Sequence, residues 1–142
     1  MSTFEDKIHS YVGGSKVLVT TGFGTIAQNT EIVDLEDASF QCTLSQYPTS
    51  VYSAIGGLVG NTALICGGAY NSGGWQYQKS CYSLKEDGAW KLEASSDLNT
   101  ARYYAATGSV IINNRLVIAG GWNGTRLATI EVVAPNTNSE TL

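Results

Sequence analysis

Reactive side chains are few in this chain of 142 residues, and their spacing excludes most catalytic arrangements. It has one histidine, His9, so a nucleophile and base arrangement that uses imidazole has at most one site to draw on. No two of Cys42, Cys66 and Cys81 are close enough for a zinc knuckle, and no glycine-rich loop follows a strand and opens a helix to cradle phosphate. Carboxylates gather at Glu31, Asp34, Glu36 and Asp37. Paired carboxylates can act as acid and base or hold calcium; beside small residues they also solvate a hairpin end, and Asp87-Gly88 marks an equivalent turn. The turn reading is adopted, and no catalytic, metal or cofactor site is expected. What remains is aromatic. Ala69 to Lys79 carries Tyr70, Trp75 and Tyr77 among Asn, Ser, Gly and Gln, and Trp122-Asn123-Gly124-Thr125-Arg126 repeats the theme. Rigid amphipathic rings among adaptable hydrogen-bonding groups suit a protein-binding surface.

The elements that must carry those loops occur three times. Lys16-Val17-Leu18-Val19-Thr20-Thr21-Gly22, Thr62-Ala63-Leu64-Ile65-Cys66-Gly67-Gly68 and Arg115-Leu116-Val117-Ile118-Ala119-Gly120-Gly121 are each a polar residue, an apolar β-prone run and a glycine stop. A unit repeated at about 50 residues cannot bury its faces alone and must stack on its neighbours. After each glycine come a polar loop and a second strand, at Thr30 to Asp34, Ser80 to Leu84 and Thr129 to Val133. A third strand with Phe40 or Trp90 follows. Another strand precedes the last two glycine runs, Val51 to Val59 and Tyr103 to Ile112, joined to them by Gly60-Asn61 and Asn113-Asn114, a tight hairpin signal. Each unit is thus an antiparallel meander of four strands, with helix limited to a turn. Cys66 and Cys81 fall on facing strands of the middle unit, within reach of a disulfide. They are either bridged or two small buried apolar residues, and Cys42 has no evident mate.

These units resemble the kelch repeat. The third carries Trp90, then Leu98-Asn99-Thr100-Ala101-Arg102-Tyr103-Tyr104-Ala105-Ala106, then Arg115 to Gly121 with its glycine doublet, then Ile130-Glu131-Val132-Val133-Ala134-Pro135. Departures are Thr21-Gly22 in place of one doublet, Phe40 in place of one Trp, Val51 where Arg102 would align, and a long spacing from Tyr82 to Trp90. The resemblance implies an all-β fold of β-propeller blades at about residues 1–47, 48–97 and 98–142, with 1–15 poorly matched. It also implies that Tyr70, Trp75, Tyr77, Arg102, Trp122 and Arg126 share one face, where a protein or peptide partner with an acidic or hydrogen-bonding segment would bind. Tyr103 and Tyr104 would fill the gap between blades. Trp90 would pack between blades, and Gly67, Gly68, Gly120 and Gly121 would serve the backbone. Kelch-like copper oxidases need more than one His at the metal, so a non-enzymatic module is expected.

Composition agrees with this reading. Sixteen glycines against two prolines, with 43% apolar residues, suit many short strands and tight turns. The net charge of −4 offers no cationic stripe for nucleic acid, and no apolar run approaches the roughly 20 residues that cross a bilayer. The first residues lack the apolar core of a signal peptide, whereas the Asn123-Gly124-Thr125 acceptor sequence and the cysteine pair tilt the domain toward an extracellular origin. Propellers close with about four to eight blades. Three blades therefore imply a homo-oligomer, a dimer completing a six-bladed ring, or the remaining blades of a longer chain; a structural, self-assembling half-propeller is the alternative to a binding module. The stretch Phe4 to Val12 is a weak candidate for an innermost strand or for a latch.

Overall fold

Two-residue turns fix where the sheets begin. At Asn113 and Asn114 the backbone takes φ +49° and +60°, the left-handed pair that twists two strands into register and that asparagine tolerates best after glycine. Gly60, at φ +60°, opens the equivalent turn in the middle repeat. In the computed structural model, which describes residues 16–21, 28–37, 39–105 and 110–142, each of these turns joins two neighbouring strands of one sheet, and the strands form three antiparallel blades and a separate two-stranded ribbon. Blade 1 holds β1 (Lys16–Thr20), β2 (Thr30–Asp34) and β3 (Gln41–Thr43). Blade 2 holds β4 (Ile55–Val59) and β5 (Thr62–Cys66); after an inserted hairpin of β6 (Ala69–Asn71) and β7 (Trp75–Tyr77) come β8 (Cys81–Leu84) and β9 (Trp90–Leu92). Blade 3 holds β10 (Val110–Ile112), β11 (Arg115–Ala119), β12 (Ile130–Val133) and β13 (Glu140–Thr141). The helical content of the described residues is one 3₁₀ turn at Ala94–Ser96. Blades 2 and 3 are the four-stranded meanders expected. His9, the Phe4 to Val12 stretch and Gly22 lie outside the described residues, as does the middle of the Tyr103 to Ile112 segment.

Strand alternation gives each blade two faces, one leading toward the next blade and one trailing toward the previous. Leu18 and Ile32 on the leading face of blade 1 pack with Ala63, Leu84 and Trp90 on the trailing face of blade 2. Leu64, Cys66 and Cys81 on the leading face of blade 2 pack with Leu116, Ile118 and Val133 on the trailing face of blade 3. Trp90 sits in the first of these seams, where its indole N–H donates to Thr30 Oγ1 at 3.1 Å and its ring meets the buried Tyr47 edge-on. The indole is thereby partly buried with its N–H hydrogen-bonded, which is what a tryptophan packed into a seam needs.

Cys66 and Cys81 pair directly across β5 and β8 and are joined as a disulfide. The Cys81 N–H donates to Asp97 Oδ1 rather than across the ladder, and the two Cα atoms approach to 4.1 Å, the close spacing of a non-hydrogen-bonded antiparallel pair. Immediately beyond, Gly67 at φ +67° passes so near Arg102 that a Cβ would lie 2.5 Å from its carbonyl oxygen. No other residue fits that approach. A second polar device holds the outer edge of blade 2. Buried Glu93 accepts from Ser83 Oγ at 2.6 Å and from Lys85 Nζ at 2.8 Å. Burial alone would raise its carboxyl, but those two hydrogen bonds and the charges of Lys85 and Lys91 outweigh it and hold the pKa below the usual value.

Two outcomes follow for stability. A bridge closing a loop of 15 residues contributes about 3 kcal/mol in the chain-entropy model, so reduction should lower the urea midpoint in a way that Cys66→Ala/Cys81→Ala reproduces without reductant. Non-reducing peptide mapping that finds three free thiols would contradict the bridge. For Glu93, a depressed folded pKa stabilises the fold above the unfolded value of about 4.3 and ceases to do so as pH falls through the folded value. Glu93→Gln should therefore melt lower than wild type at pH 7, with a deficit that shrinks as thermal melts are repeated below pH 4. A deficit independent of pH would refute the assignment.

Candidate functional site

The polar loops after β5 and β11 are shaped by glycine and asparagine. In the inserted hairpin, Gly73 and Gly74 take φ +68° and +146°, and Asn71 Oδ1 accepts the Gly74 N–H at 3.2 Å. The stretch read from sequence as a flexible loop is therefore an ordered two-stranded ribbon. Trp75 and Tyr77, two residues apart on β7, share one of its faces, and Tyr70 and Gln76, opposite each other in the register, share the other. In the second loop Trp122 pairs with Arg126, and Gly124 comes so close to β7 that a Cβ there would lie 3.9 Å from Tyr77 Cε2.

One aromatic cluster results. The rings of Trp75 and Tyr77 stack on Tyr103 at 5.9 and 5.5 Å, Tyr52 meets Trp75 edge-on, and Tyr104 leans on Tyr103 at 4.7 Å. Trp75 is 47% exposed and Tyr104 69%. Tyr103 is held from below, because its backbone exchanges both hydrogen bonds with Trp122. Tyr103 is half-buried and bridges the blade 2 hairpin and blade 3, as a residue filling the gap between blades does, whereas Tyr104, expected to do the same, is exposed; Tyr52 joins the cluster. The repeat carried that signal: Val51-Tyr52-Ser53 aligns with Arg102-Tyr103-Tyr104, Tyr52 pairs with Ala69 as Tyr103 does with Trp122, and Ser53 and Tyr104 both take φ +50°. Trp122 and Arg126 border the cluster as exposed residues, while Tyr70 is half-buried on the ribbon's other face.

Arg102 requires a correction. Expected on the exposed face, it is completely buried. Its guanidinium donates to the carbonyls of Gly120 and Thr129 at 2.7 and 3.2 Å, to Thr129 Oγ1 at 3.0 Å, and to Glu131 Oε1 in an ion pair between two wholly inaccessible side chains. The same carboxylate accepts the backbone N–H groups of Asn99 and Thr100. Every strong donor direction of the fork is filled, so none faces a partner.

The acidic turn in blade 1 is local structure. Asp34 Oδ1 accepts from the Glu36 N–H, and Asp37 Oδ1 accepts from both the hydroxyl and the N–H of Ser39, which holds the Asp37 pKa below its usual value. Among the described residues no group of three or more His, Cys, Asp and Glu could hold a metal ion. A groove of about 450 Å³ between blades 1 and 2 runs along Val17, Leu18, Gly56, Gly57 and Leu58, with Lys16 the one ionisable side chain in its described lining.

Comparison with known proteins agrees with the blade construction. Residues 103–139 match the family model described as the kelch motif. Among solved structures 66 chains match. One of them, titled "Structure of YjhT", aligns with a TM-score of 0.73 at 17% identity, over 92% of this chain and 43% of that one. The likeness is one of fold, a propeller-like set of antiparallel blades, and this chain spans less than half of that protein's length. No curated protein matches the sequence.

Removing one member of a buried ion pair leaves the other uncompensated, at a cost of about 3–5 kcal/mol. Arg102→Met should therefore lower the urea midpoint sharply. Adding Glu131→Leu should recover only part of the loss, since the Asn99 and Thr100 N–H groups would then lack their acceptor. Full recovery in the double variant would show that the backbone contacts contribute nothing.

Proposed function

Starting from a kelch motif in the third blade and the same construction in the second, we propose that this chain works as a non-enzymatic protein-binding module. A peptide or protein segment docks on the face formed by Trp75, Tyr77, Tyr103, Tyr104, Trp122 and Arg126. The observation that carries this reading is the stacked ring cluster itself. The rings of Trp75, Tyr77 and Tyr104 each lie 4.7 to 5.9 Å from that of Tyr103, yet Trp75 and Tyr104 remain 47 and 69% exposed. Tyr104 sits in the left-handed region at φ +50°. A bulky residue held there costs about 1–3 kcal/mol, and such a cost is tolerated where it aims a side chain at something.

Because Arg102 is buried, Arg126 is the arginine left on this face for an acidic or hydrogen-bonding partner segment. Trp, Tyr and Arg are the residues enriched at binding hot spots. The disulfide between Cys66 and Cys81 supports an oxidising, extracellular setting for the domain.

Peptide display on the immobilised wild-type chain, followed by affinity measurement of the selected peptides, tests the reading. A central hot-spot residue costs 2 kcal/mol or more on truncation, about 30-fold in affinity. Trp75→Ala should reach that loss and Arg126→Ala about 10-fold, both with the thermal midpoint nearly unchanged. Trp90→Ala should instead lose fold and binding together, at about 3–5 kcal/mol of stability. Selected peptides that bind Trp75→Ala as tightly as wild type would refute the site.

A further inference from the structure

Of the nine asparagines in the chain, Asn123 is the one followed two positions later by Ser or Thr with no proline between, in Asn123-Gly124-Thr125. Three residues match a glycan acceptor sequence often by chance, and its meaning rests on an exposed loop. The structure supplies that loop. Between β11 and β12 its base is closed by the Gly120 N–H donating to the Thr129 carbonyl and the Leu127 N–H donating to the Gly121 carbonyl. Beyond these bonds Gly124, Thr125 and Arg126 are exposed and Asn123 is half-buried. Gly124, at φ +101°, turns the chain tightly enough for the Asn123 N–H to reach the Thr125 carbonyl at 3.2 Å, and the Thr125 hydroxyl donates to Asn123 Oδ1 at 3.3 Å. Other asparagine side chains serve the fold: Asn71 Oδ1 accepts from Gly74, and Asn99 Nδ2 donates to Ser139 and Thr141. Among the described residues the Asn123 side chain is hydrogen-bonded only by the hydroxyl of its own acceptor sequence, which leaves Nδ2 open to substitution.

We infer that Asn123 is the attachment site of an N-linked glycan, and that the glycan screens one edge of the ring face. In the transfer, Asn123 Nδ2 attacks the anomeric carbon of a lipid diphosphate-linked oligosaccharide. The C–N bond forms as the C–O bond to the diphosphate breaks; the lipid diphosphate leaves and the amide loses one proton. This chemistry belongs to the oxidising route on which disulfides form, and the bridge between Cys66 and Cys81 is an independent mark of that route. A glycan is bulky and needs a surface position. At the tip of this loop it disturbs neither seam between blades. Its root is the neighbour of Trp122, and the same loop passes Tyr77 at Gly124. The sugar therefore stands at the side of the cluster that Trp122, Tyr77 and Arg126 form. Attachment is independent of the proposed docking role, whereas screening rests on it.

Secretion of the chain behind a cleavable leader in insect cells, followed by intact mass measurement, reads the attachment. Wild type and, at lower occupancy, Thr125→Ser should carry one glycan; Asn123→Gln and Thr125→Ala should carry none. All four should keep the thermal midpoint and the Cys66–Cys81 bridge, since the change is confined to a surface turn. An amidase that cleaves the glycosyl-asparagine bond should release the glycan from the folded chain and convert Asn123, and no other asparagine, to aspartate. Secreted wild type at the bare chain mass of 15.1 kDa, or a glycan that persists in Asn123→Gln, would overturn the inference. Peptides selected on Asn123→Gln then read the screening: they should bind glycosylated wild type about 10-fold more weakly, a difference of about 1.4 kcal/mol. Equal affinity for the two would overturn the screening. Peptides that bind as tightly after Trp75→Ala would instead remove the docking face, and the mass increment would still establish the attachment.

Discussion

The guanidinium of Arg102, buried against Glu131, sets the position of nearly everything that distinguishes the exposed face. It reaches from the segment that leaves blade 2 into the doublet at Gly120 and the strand start at Thr129. Its carboxylate partner holds the same segment from the other side through Asn99 and Thr100. Two charges removed from water gain little net stability unless every donor and acceptor is matched. Here they are matched, and no buried side-chain polar atom among the described residues lacks a partner. The consequence is geometric more than energetic: the residue after Arg102 is Tyr103, and its ring is the one on which Trp75, Tyr77 and Tyr104 all lean.

That arrangement also explains why Arg102 misleads in the sequence. An arginine beside tyrosines, at the start of a strand near a loop, has the composition of a binding site. The informative sign was its alignment with Val51, which is itself buried. Where one repeat places valine, the position faces inward, and an arginine in the same place must bring its own acceptors. Glu131 and the Gly120 carbonyl are those acceptors, far along the chain and invisible to local spacing. The strand and glycine pattern, by contrast, is local, and it placed the repeated strands and the facing cysteines without reference to tertiary contacts; the blade arrangement and the inter-blade Trp90 came from the resemblance to the kelch repeat.

The inserted hairpin shows the opposite limit. β6 and β7 are three residues each, too short for alternation to separate them from a polar loop. What orders them is the turn chemistry of Asn71, Gly73 and Gly74 together with ring contacts to residues of another blade. Tyr52 and Tyr103 were legible only by laying one repeat over another, since each looks like an ordinary strand aromatic within its own segment.

The disulfide links these two levels. Cys66 ends β5 and Cys81 begins β8, so the bridge pins both ends of the excursion that carries Tyr70, Trp75 and Tyr77. A loop whose ends are fixed and whose middle is a ribbon has less freedom left to lose when a partner immobilises it, and ordering costs of about 0.5–1.5 kcal/mol per side chain are among the terms that limit affinity. The rings are ordered further by stacking on Tyr103, which the buried ion pair anchors from within blade 3. In the proposed binding role, stability and recognition use different residues of one connected scaffold: the core pair and the bridge hold the rings in place, and Trp75 and Tyr104 keep exposed surface for a partner.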